Sequence, residues 1–486
     1  MDIRNLEPKE LWNSFADLNA IPRASKKEEQ VIAFMLEFGK TLGLETVKDP
    51  IGNVIIKKPA TAGMENRRTV VLQSHLDMVH QKNSDTAFDF DTQGIDMYVD
   101  EDWVKARGTT LGADNGIGVA AIMALLQSTS IKHPALEAMF TIDEETGMTG
   151  AKELDPANFS GTILLNLDTE EDDELTIGCA GGIDTNTNYP YESQPVAAES
   201  TAYIINIKGL LGGHSGMDIH KGRANANKLM NRYLYTISQT VGLQLHTIDG
   251  GSLRNAIPRE STAVIVVPNA QTELFTLLSG QFTELLADEY HTVEPGLVLS
   301  VTETELPDEV MVKADFKKII NALYAVANGV FRMSPDIDNL VEASSNLARV
   351  IVRDNIFLTQ SLQRSSVEST KEDVSNAVRA VFENMGCNVK QAGDYPGWKP
   401  NPESAILKLM VELYSKTFKA EPKVEACHAG LECGILGSHL PGMDMISFGP
   451  TIRGAHSPDE RVQISSVQKF WTYLQAVLKE IPKNGK

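Results

Sequence analysis

Acidic and imidazole side chains follow several apolar, strand-like segments of this chain. In open α/β sheets, ligands bind in the crevice beyond the carboxyl ends of the strands. We therefore expect these side chains, which are distant in sequence, to meet at one site. They are His75 and Asp77, Glu144 and Glu145, Asp168, and His456, together with Asp114 after the turn Leu111-Gly112-Ala113.

Carboxylates that converge beside apolar strands need a cation to balance them. Without one, three or four such groups would be strongly destabilising. Mixed imidazole and carboxylate ligands without cysteine suit zinc, or a neighbouring metal such as manganese or cobalt. The number of candidate ligands allows two ions that share one acid, an arrangement that activates water for hydrolysis.

The local spacing of these residues supports a division of roles. His75 and Asp77 are two positions apart and therefore share one side of a strand. A carboxylate behind a ligating imidazole fixes its tautomer. Glu144 and Glu145 are adjacent, so their side chains diverge in an extended segment. One can then bind metal while the other moves protons.

Five motifs, found in a fixed order, carry a family resemblance. The chain resembles, over essentially its whole length, the two-metal exopeptidases that include carnosinase, aminoacylase, peptidase T and glutamate carboxypeptidases. Within that family it is most similar to the bacterial cytosolic aminoacyl-histidine, or nonspecific, dipeptidases. The motifs are Ser74–Val79, Gly112–Gly116, Asp143–Gly147, Asn166–Glu171 and Ala455–Glu460.

The resemblance implies a role for each of these side chains. Glu144 is then the general base, and Asp77 is the acid that orients His75. Asn115 stands where many relatives have a second aspartate, and a non-proline cis bond before it is expected. The implied ligands are Asp114 as the bridge, His75 and Asp168 for one ion, and Glu145 and His456 for the other, with zinc as the expected metal.

Five further residues are candidates for substrate binding or catalysis. His214, in Gly212–Gly216, would polarise the scissile carbonyl, although that motif alone is also typical of a flexible turn. Arg364 would grip the free carboxylate of the substrate; the alternative is a pairing with a surface acid. Asn255 is a candidate substrate residue, as is His428, and Glu432 in the same Gly-rich segment as His428 is a further candidate.

Strand-like and helical segments alternate along the first part of the chain and again at its end. This pattern predicts an α/β catalytic domain with a mixed central sheet flanked by helices, formed by residues 1–187 and 398–486. Between them, residues 188–397 predict an inserted α+β lid domain of two ferredoxin-like halves. Proline and glycine cluster at Tyr395–Pro402, where the chain would cross back.

The composition excludes several classes of partner. A formal charge of -21 over 486 residues disfavours nucleic acid and anionic membrane surfaces, since both would repel the protein. The charged N-terminus and the absence of a long apolar run predict a cytoplasmic protein.

The acidic run Glu170–Glu174 is interpreted as a solvated turn rather than as a third metal site. A homodimer and a single chain are both compatible with the inserted domain.

The leading functional hypothesis is a dinuclear metallodipeptidase that hydrolyses small peptides. One alternative keeps the chemistry but changes the substrate, giving an N-acyl amino acid deacylase or a carboxypeptidase. A second alternative is a non-catalytic relative that binds metal or peptide. It is disfavoured because such a protein would not need Glu144 beside Glu145.

Overall fold

The computed structural model describes residues 2–484 and divides the chain into two compact units. Unit 1 contains the chain up to Gly178, Trp398–Ala426, and the chain from Leu431 onward. Unit 2 contains Cys179–Gly397 and Cys427–Gly430. The chain therefore leaves unit 1 after Gly178 rather than after residue 187, and a short segment near residue 428 belongs to unit 2.

Helices occur in both units. Three short 3₁₀ turns lie at Ile3–Asn5, Pro156–Asn158 and Asn269–Gln271. The α-helices are α1 (Lys9–Asn19), α2 (Glu29–Thr41), α3 (Ala113–Gln127), α4 (Thr149–Lys152), α5 (Ala226–Ser238), α6 (Thr272–Tyr290), α7 (Lys313–Ala325), α8 (Glu368–Met385), α9 (Ala405–Phe418), α10 (Glu432–His439) and α11 (Ile464–Glu480).

Strands also occur in both units. They are β1 (Glu45–Lys48), β2 (Val54–Lys58), β3 (Val70–His75), β4 (Met97–Asp100), β5 (Trp103–Ala106), β6 (Leu136–Thr141), β7 (Ile163–Asn166), β8 (Glu174–Cys179), β9 (Gly181–Pro190), β10 (Ser193–Pro195), β11 (Ser200–Lys208), β12 (Gln244–Gly251), β13 (Ser261–Pro268), β14 (Val298–Thr304), β15 (Glu309–Met311), β16 (Gly329–Met333), β17 (Val341–Arg353), β18 (Ile356–Ser365), β19 (Asn388–Tyr395), β20 (Lys423–Cys427), β21 (Asp444–Ser447), β22 (Ile452–Arg453) and β23 (Arg461–Gln463).

Unit 1 is built on an eight-stranded mixed sheet with the order β1-β2-β6-β3-β7-β21-β8-β20. Its central strands β6, β3, β7 and β21 are parallel, and every residue of β3, β6 and β7 is buried. Strands buried on both faces are continuously apolar, which is why these runs were recognisable in the sequence. The parallel strands end at one edge of the sheet, which confirms the predicted α/β architecture.

A small sheet and a buried helix complete the part of unit 1 that carries the site. Strands β22, β23, β5 and β4 form, in that order, a four-stranded sheet. Helix α3 is buried along nearly its whole length, as expected for a helix that is apolar on all sides. It begins with two residues of non-helical backbone, Asp114 and Asn115.

Unit 2 contains two β-α-β-β-α-β halves, as predicted. One half consists of β11, α5, β12, β13, α6 and β14, with the sheet order β14-β11-β13-β12. The other consists of β9, α7, β17, β18, α8 and β19, with the equivalent order β19-β9-β18-β17. Strands β12 and β17 pair and join the halves into one sheet.

The position of β9 explains the corrected domain boundary. This strand opens the second half, but it precedes the whole first half in the sequence. Its sequence, Gly-Gly-Ile-Asp-Thr-Asn-Thr-Asn-Tyr-Pro, is mostly polar and gives no apolar run. Its pairing with β18 over ten residue pairs, rather than side-chain hydrophobicity, defines it as a strand. Among residues 2–484, no helix is long and apolar enough to cross a membrane.

Candidate active site

The five predicted metal ligands come together in unit 1. His75 is the last residue of β3, and Asp168 lies two residues beyond β7. Asp114 is at the start of α3, and Glu145 follows β6. His456 lies in the loop between β22 and β23, where its backbone has a positive φ of 64°. Strand ends and loops at one edge of the sheet thus supply all five side chains.

Asp114 lies between the two imidazoles. Its Oδ1 is 3.3 Å from His75 Nε2, and its Oδ2 is 3.2 Å from His456 Nε2. On the outer sides, Asp168 Oδ1 is 3.6 Å from His75 Nε2, and Glu145 Oε2 is 3.0 Å from His456 Nε2. Each oxygen of Asp114 therefore faces a different cluster, which is the geometry required of a shared ligand.

Three groups of ligand atoms are compact enough to hold an ion, with all atoms of a group within 4.8 Å of one another. Two of them share Asp114, and the third includes Glu144. Glu145 Oε1 and Asp168 Oδ1 are buried and have no hydrogen-bond partner among the described residues. Buried polar atoms are normally satisfied, so these oxygens fit a bound cation. The groups are His75/Asp114/Asp168, Asp114/Glu145/His456 and His75/Glu144/Glu145.

The electrostatics of the cluster lead to the same conclusion. Burial raises the pKa of Asp168 to about 6 and that of Glu144 well above its usual value. Hydrogen bonds to Asp114 and Glu145 raise the pKa of His456 to about 11. Burial opposes ionisation of Asp114, but hydrogen bonds from His456 and His75 outweigh it and lower the pKa of Asp114. The protein alone can hold these groups only by sharing protons, whereas a divalent cation would balance them all.

Asp77 supports the site in more ways than expected. It lies behind His75, with Oδ1 3.4 Å from His75 Nδ1. It also accepts hydrogen bonds from the backbone N–H groups of Glu144 and Glu145, at 3.0 and 3.3 Å, and from Ser25 Oγ at 2.7 Å. One buried carboxylate therefore contacts both the His75 imidazole and the backbone of the segment that carries Glu144 and Glu145.

The Glu144–Glu145 segment is a turn, not the extended segment that the sequence suggested. It begins at Asp143, whose backbone has a positive φ of 56°. The Asp143 carboxylate accepts hydrogen bonds from Lys26, Thr146 and Thr149, which hold this less favourable conformation. The directions of the Glu144 and Glu145 side chains are therefore set by this turn and not by the alternation of side chains along a strand.

The Asn115 side chain forms hydrogen bonds with the ends of two strands, β3 and β7. The peptide bond between Asp114 and Asn115 is cis, as expected from the subgroup resemblance. The Asn115 Oδ1 accepts a hydrogen bond from the His75 backbone N–H at 3.3 Å, and its Nδ2 donates to the Leu167 carbonyl at 2.5 Å. An aspartate at this position would lack the donor for the second bond.

Unit 2 contains a second cluster, in which His214 is a neutral hydrogen-bond donor. Its Nδ1 accepts from the backbone N–H groups of Gly216 and Met217, at 3.2 and 3.1 Å. This fixes the proton of the neutral ring on Nε2. Burial and the nearby Arg364 lower the pKa of His214 to about 4. The Nε2–H group can therefore donate to a carbonyl oxygen at neutral pH.

Arg364 is a buried cation, not a surface residue. It lies near the end of β18, and only 4% of the residue is exposed. Its guanidinium donates to Tyr395 Oη at 2.9 Å and to Ser215 Oγ at 3.3 Å. Within residues 2–484 it forms no ion pair with a carboxylate, and the nearby Asp184 pairs instead with Arg254. The alternative of a surface ion pair is therefore wrong.

The other predicted substrate residues, Asn255, His428 and Glu432, differ in their exposure to solvent and in their hydrogen-bond partners. Asn255 is exposed, and its backbone carbonyl accepts from the Ser215 N–H next to His214, at 2.8 Å. His428 is buried in unit 2, where its Nε2 lies 2.7 Å from Ser344 Oγ. Glu432 has no exposed surface and belongs to unit 1, where it accepts from Gln73 and Thr141. His428 and Glu432, which are four positions apart in one Gly-rich segment, therefore belong to different units.

Glu170 is a further acid whose charge interacts with the ligand cluster. It is half-buried, and burial together with Asp114 and Asp168 raises its pKa to about 8. Glu170 is therefore less exposed than a solvated turn implies, but no residue of Glu170–Glu174 belongs to one of the three ligand groups. A signal was available, because Glu170 follows the ligand Asp168 by two positions.

With this geometry in view, the protein can be compared with known ones. The sequence profile described as peptidase family M20/M25/M40 matches residues 71–480. The chain belongs to this family. Members of peptidase family M20 depend on a dinuclear metal centre. Because the chain belongs to this family, it is a peptidase. The ligand groups described above provide residues for such a centre.

Two relatives resemble the chain over nearly its whole length. It is 42% identical over 481 residues to the cytosol non-specific dipeptidase of Escherichia coli, covering 99% of both chains. Its fold matches the crystal structure of aminoacylhistidine dipeptidase from Vibrio alginolyticus with a TM-score of 0.94. The two sequences are 43% identical, and the match covers 100% of this chain and 99% of the Vibrio chain. Aminopeptidase PepT from Bacillus cereus, at 16% identity, TM-score 0.57 and coverage of 98% and 99%, shares the fold.

Proposed function

We propose that this protein is a dipeptidase that hydrolyses unmodified dipeptides, including those with a C-terminal histidine, and that it depends on two divalent metal ions. The observation that carries the proposal is the convergence of both ligand groups on the shared Asp114. The two relatives at 42% and 43% identity, both named as dipeptidases, support the substrate class.

The metal ligands follow from the two groups that share Asp114. We assign one ion to His75, Asp114 and Asp168, and the other to Asp114, Glu145 and His456. Zinc is the proposed metal because the ligands are imidazoles and carboxylates, with cobalt and manganese as alternatives. When bound, the ions supply Lewis-acid polarisation of the scissile carbonyl and lower the pKa of the attacking water.

Glu144 is the proposed general base. One of its carboxylate oxygens lies within 4.8 Å of ligand atoms of both His75 and Glu145, so the group reaches the centre of the cluster. Neither group that shares Asp114 needs it as a ligand. Glu144 would take a proton from the attacking water and deliver it to the leaving nitrogen. Asp77 would keep the Glu144 backbone in place through the hydrogen bond from its N–H.

Unit 2 is proposed to supply substrate binding. A buried guanidinium without an acidic partner is costly unless an anion completes it, and the free carboxylate of a dipeptide is such an anion. We therefore assign this carboxylate to Arg364. His214, with its proton on Nε2, would donate to the oxyanion that develops from the scissile carbonyl. Asn255 and His428 are proposed as further substrate-binding residues.

The proposed location of the protein is the cytoplasm. The support is the name of the Escherichia coli relative, a cytosol non-specific dipeptidase. Its partners in this proposal are small peptides and the two ions. Sedimentation of the purified protein would distinguish a single chain from a homodimer.

A substrate panel on metal-stripped protein tests the proposal. The panel contains a free dipeptide, its N-acetylated form and a tripeptide with the same first two residues, each assayed after addition of zinc, manganese or cobalt. We expect no turnover before metal is added, and a clear preference for the free dipeptide afterwards. Preference for the acetylated form would identify an N-acyl amino acid deacylase and would overturn the dipeptidase assignment.

A further inference from the structure

The Glu460 side chain binds the loop that carries the shared ligand. Glu460 is buried, with 2% exposure. Its Oε2 accepts from the backbone N–H groups of Leu111 and Gly112, at 2.7 and 2.9 Å. Its Oε1 accepts from those of Ala113 and Asp114, at 2.7 and 3.2 Å. Four consecutive backbone donors therefore converge on one carboxylate, and the last of them belongs to Asp114.

Glu460 also belongs to the segment that carries another ligand. It follows His456 by four residues, in the loop between β22 and β23. Within this loop, the Glu460 N–H donates to the Ser457 carbonyl at 3.0 Å, and the Ser457 N–H donates to the Gly454 carbonyl at 3.2 Å. The Glu460 side chain thus connects two segments, 111–114 and 454–460, each of which supplies one ligand.

Arg23 connects the same loop to a third ligand segment. It is buried, with 2% exposure, and its Nη2 donates to the Gly112 carbonyl at 2.6 Å. Its Nη1 donates to the carbonyls of Leu76 and Asp77, at 3.1 and 3.3 Å. These two residues directly follow His75 at the end of β3. Gly112 is thus held by Glu460 through its N–H and by Arg23 through its carbonyl.

We propose that Glu460 and Arg23 are positioning residues that fix the Asp114 loop relative to His456 and His75 and thereby set the affinity of the site for metal. The inference rests on the proposed function, because it concerns the same two ions. Neither side chain contributes an atom to any of the three ligand groups. Groups that orient metal ligands contribute to affinity because they hold the ligands ready before the ion arrives.

The main test is Glu460→Gln, which keeps the size of the side chain. An amide has one acceptor oxygen, and its NH₂ group would face two backbone N–H groups of the 111–114 segment. We expect metal affinity to fall by roughly 10–100-fold, measured by competition with a chromogenic chelator. The absorption spectrum of the cobalt-loaded protein should also change, because it reports the coordination geometry. Arg23→Lys, which cannot form all three of the guanidinium hydrogen bonds to the Gly112, Leu76 and Asp77 carbonyls, should weaken binding in the same direction.

Glu137→Gln is the matched control. Glu137 is also a buried carboxylate that holds a loop, accepting from the backbone N–H groups of Ser160 and Gly161 at 3.0 Å. Its position is near the start of β6, whereas the ligands follow the strand ends. We expect this variant to lose stability while keeping the metal affinity and the cobalt spectrum of the wild type.

The outcomes separate the inference from the function on which it rests. Weaker metal binding in Glu460→Gln than in Glu137→Gln, at comparable melting temperatures of the metal-free proteins, would support the positioning role. Equal affinities in the wild type and in both Glu460→Gln and Arg23→Lys would overturn the positioning role and leave the dipeptidase proposal intact. Failure of the wild type to bind two ions would overturn both. If Glu460→Gln does not fold, Arg23→Lys is compared with the control in the same way.

Discussion

The candidate metal centre of unit 1 and the His214–Arg364 cluster of unit 2 solve opposite electrostatic problems. Unit 1 concentrates carboxylates, and two of them have buried oxygens without a hydrogen-bond partner. Unit 2 buries a guanidinium beside His214 and His428, and burial lowers the pKa of both imidazoles, to about 4 and about 3. In the proposed function, two cations would complete the first region, and the carboxylate of the substrate would complete the second. A variant of the proposed base Glu144 in unit 1 should therefore change turnover, whereas a variant of Arg364 in unit 2 should change substrate binding.

Glu144→Gln is expected to have the largest effect. The amide keeps the shape of the side chain but cannot accept the proton of the attacking water, so kcat should fall by roughly 10²–10⁴-fold. Metal content, measured by elemental analysis, should stay at the wild-type value because Glu144 is not a proposed ligand. Glu137→Gln, a buried glutamine substitution away from the ligands, should retain wild-type kcat. Unchanged turnover in Glu144→Gln would refute the base assignment.

Arg364→Lys is the corresponding variant in unit 2. Lysine keeps the charge but loses the two-pronged hydrogen bonding of the guanidinium, at a cost of about 1.5–3 kcal/mol for a bond to a charged group. We expect KM for a dipeptide to rise by roughly 10–150-fold with a much smaller change in kcat.

Arg349→Lys is the control for that experiment. Arg349 pairs with Asp249 at 2.5 Å on the half-exposed part of β17, where an ion pair contributes little. Its KM should match that of the wild type. A fall in kcat with unchanged KM in Arg364→Lys would place Arg364 in the chemical step and would remove the contrast between the two regions.

The contrast also explains which features could be predicted from the sequence. The ligands of unit 1 were recognisable because they lie at the end of apolar strands, as at β3, or shortly beyond it, as at β7. The motifs add a resemblance that spacing alone does not provide. The two ferredoxin-like halves were also recognisable from the order of strands and helices. Strand β9 was missed because its side chains are mostly polar and its pairing partners are distant in sequence.

Roles that depend on long-range hydrogen bonds could not be read from the sequence. Glu460 lies inside a recognised motif, yet its function depends on the N–H groups of residues 111–114, more than 340 positions away. Arg23 lies outside the segment that matches the family profile, residues 71–480. The turn at Glu144 depends on the positive φ of Asp143, an intrinsically uncommon conformation for a residue other than glycine.

The pH dependence of stability tests the neutral imidazoles of unit 2. Burial and Arg364 lower the pKa of His428 to about 3 in the folded state, against 6.5 for the ordinary group. As the pH falls below 6.5, the unfolded chain takes up a proton that the folded protein excludes, so stability is lost with acid. Between pH 7.5 and 5 this contribution is about 2 kcal/mol.

His428→Asn isolates that contribution. The free energy of unfolding, measured with urea on metal-free protein at both pH values, should fall by about 2 kcal/mol more in the wild type than in the variant. Equal pH dependence in the two proteins would mean that His428 titrates normally in the folded state. An imidazole NMR signal of His428 that shifts between pH 7.5 and 5 would contradict the prediction independently.

Tyr395→Phe is expected to have the smallest effect and to define the contrast most sharply. The Tyr395 hydroxyl accepts a hydrogen bond from Arg364 Nη1 at 2.9 Å, so it orients the guanidinium without being a proposed substrate contact. Loss of one such bond costs about 0.5–1.5 kcal/mol, and we expect KM to rise roughly 2–10-fold with unchanged kcat. The control is Tyr233→Phe, which removes a buried hydroxyl bonded to Ser279 Oγ at 2.8 Å in the core of unit 2. Because both variants lose a hydrogen bond from unit 2, only a positioning role for Tyr395 predicts a KM difference between them. Equal KM values would mean that the hydrogen bond to Ser215 suffices to orient Arg364.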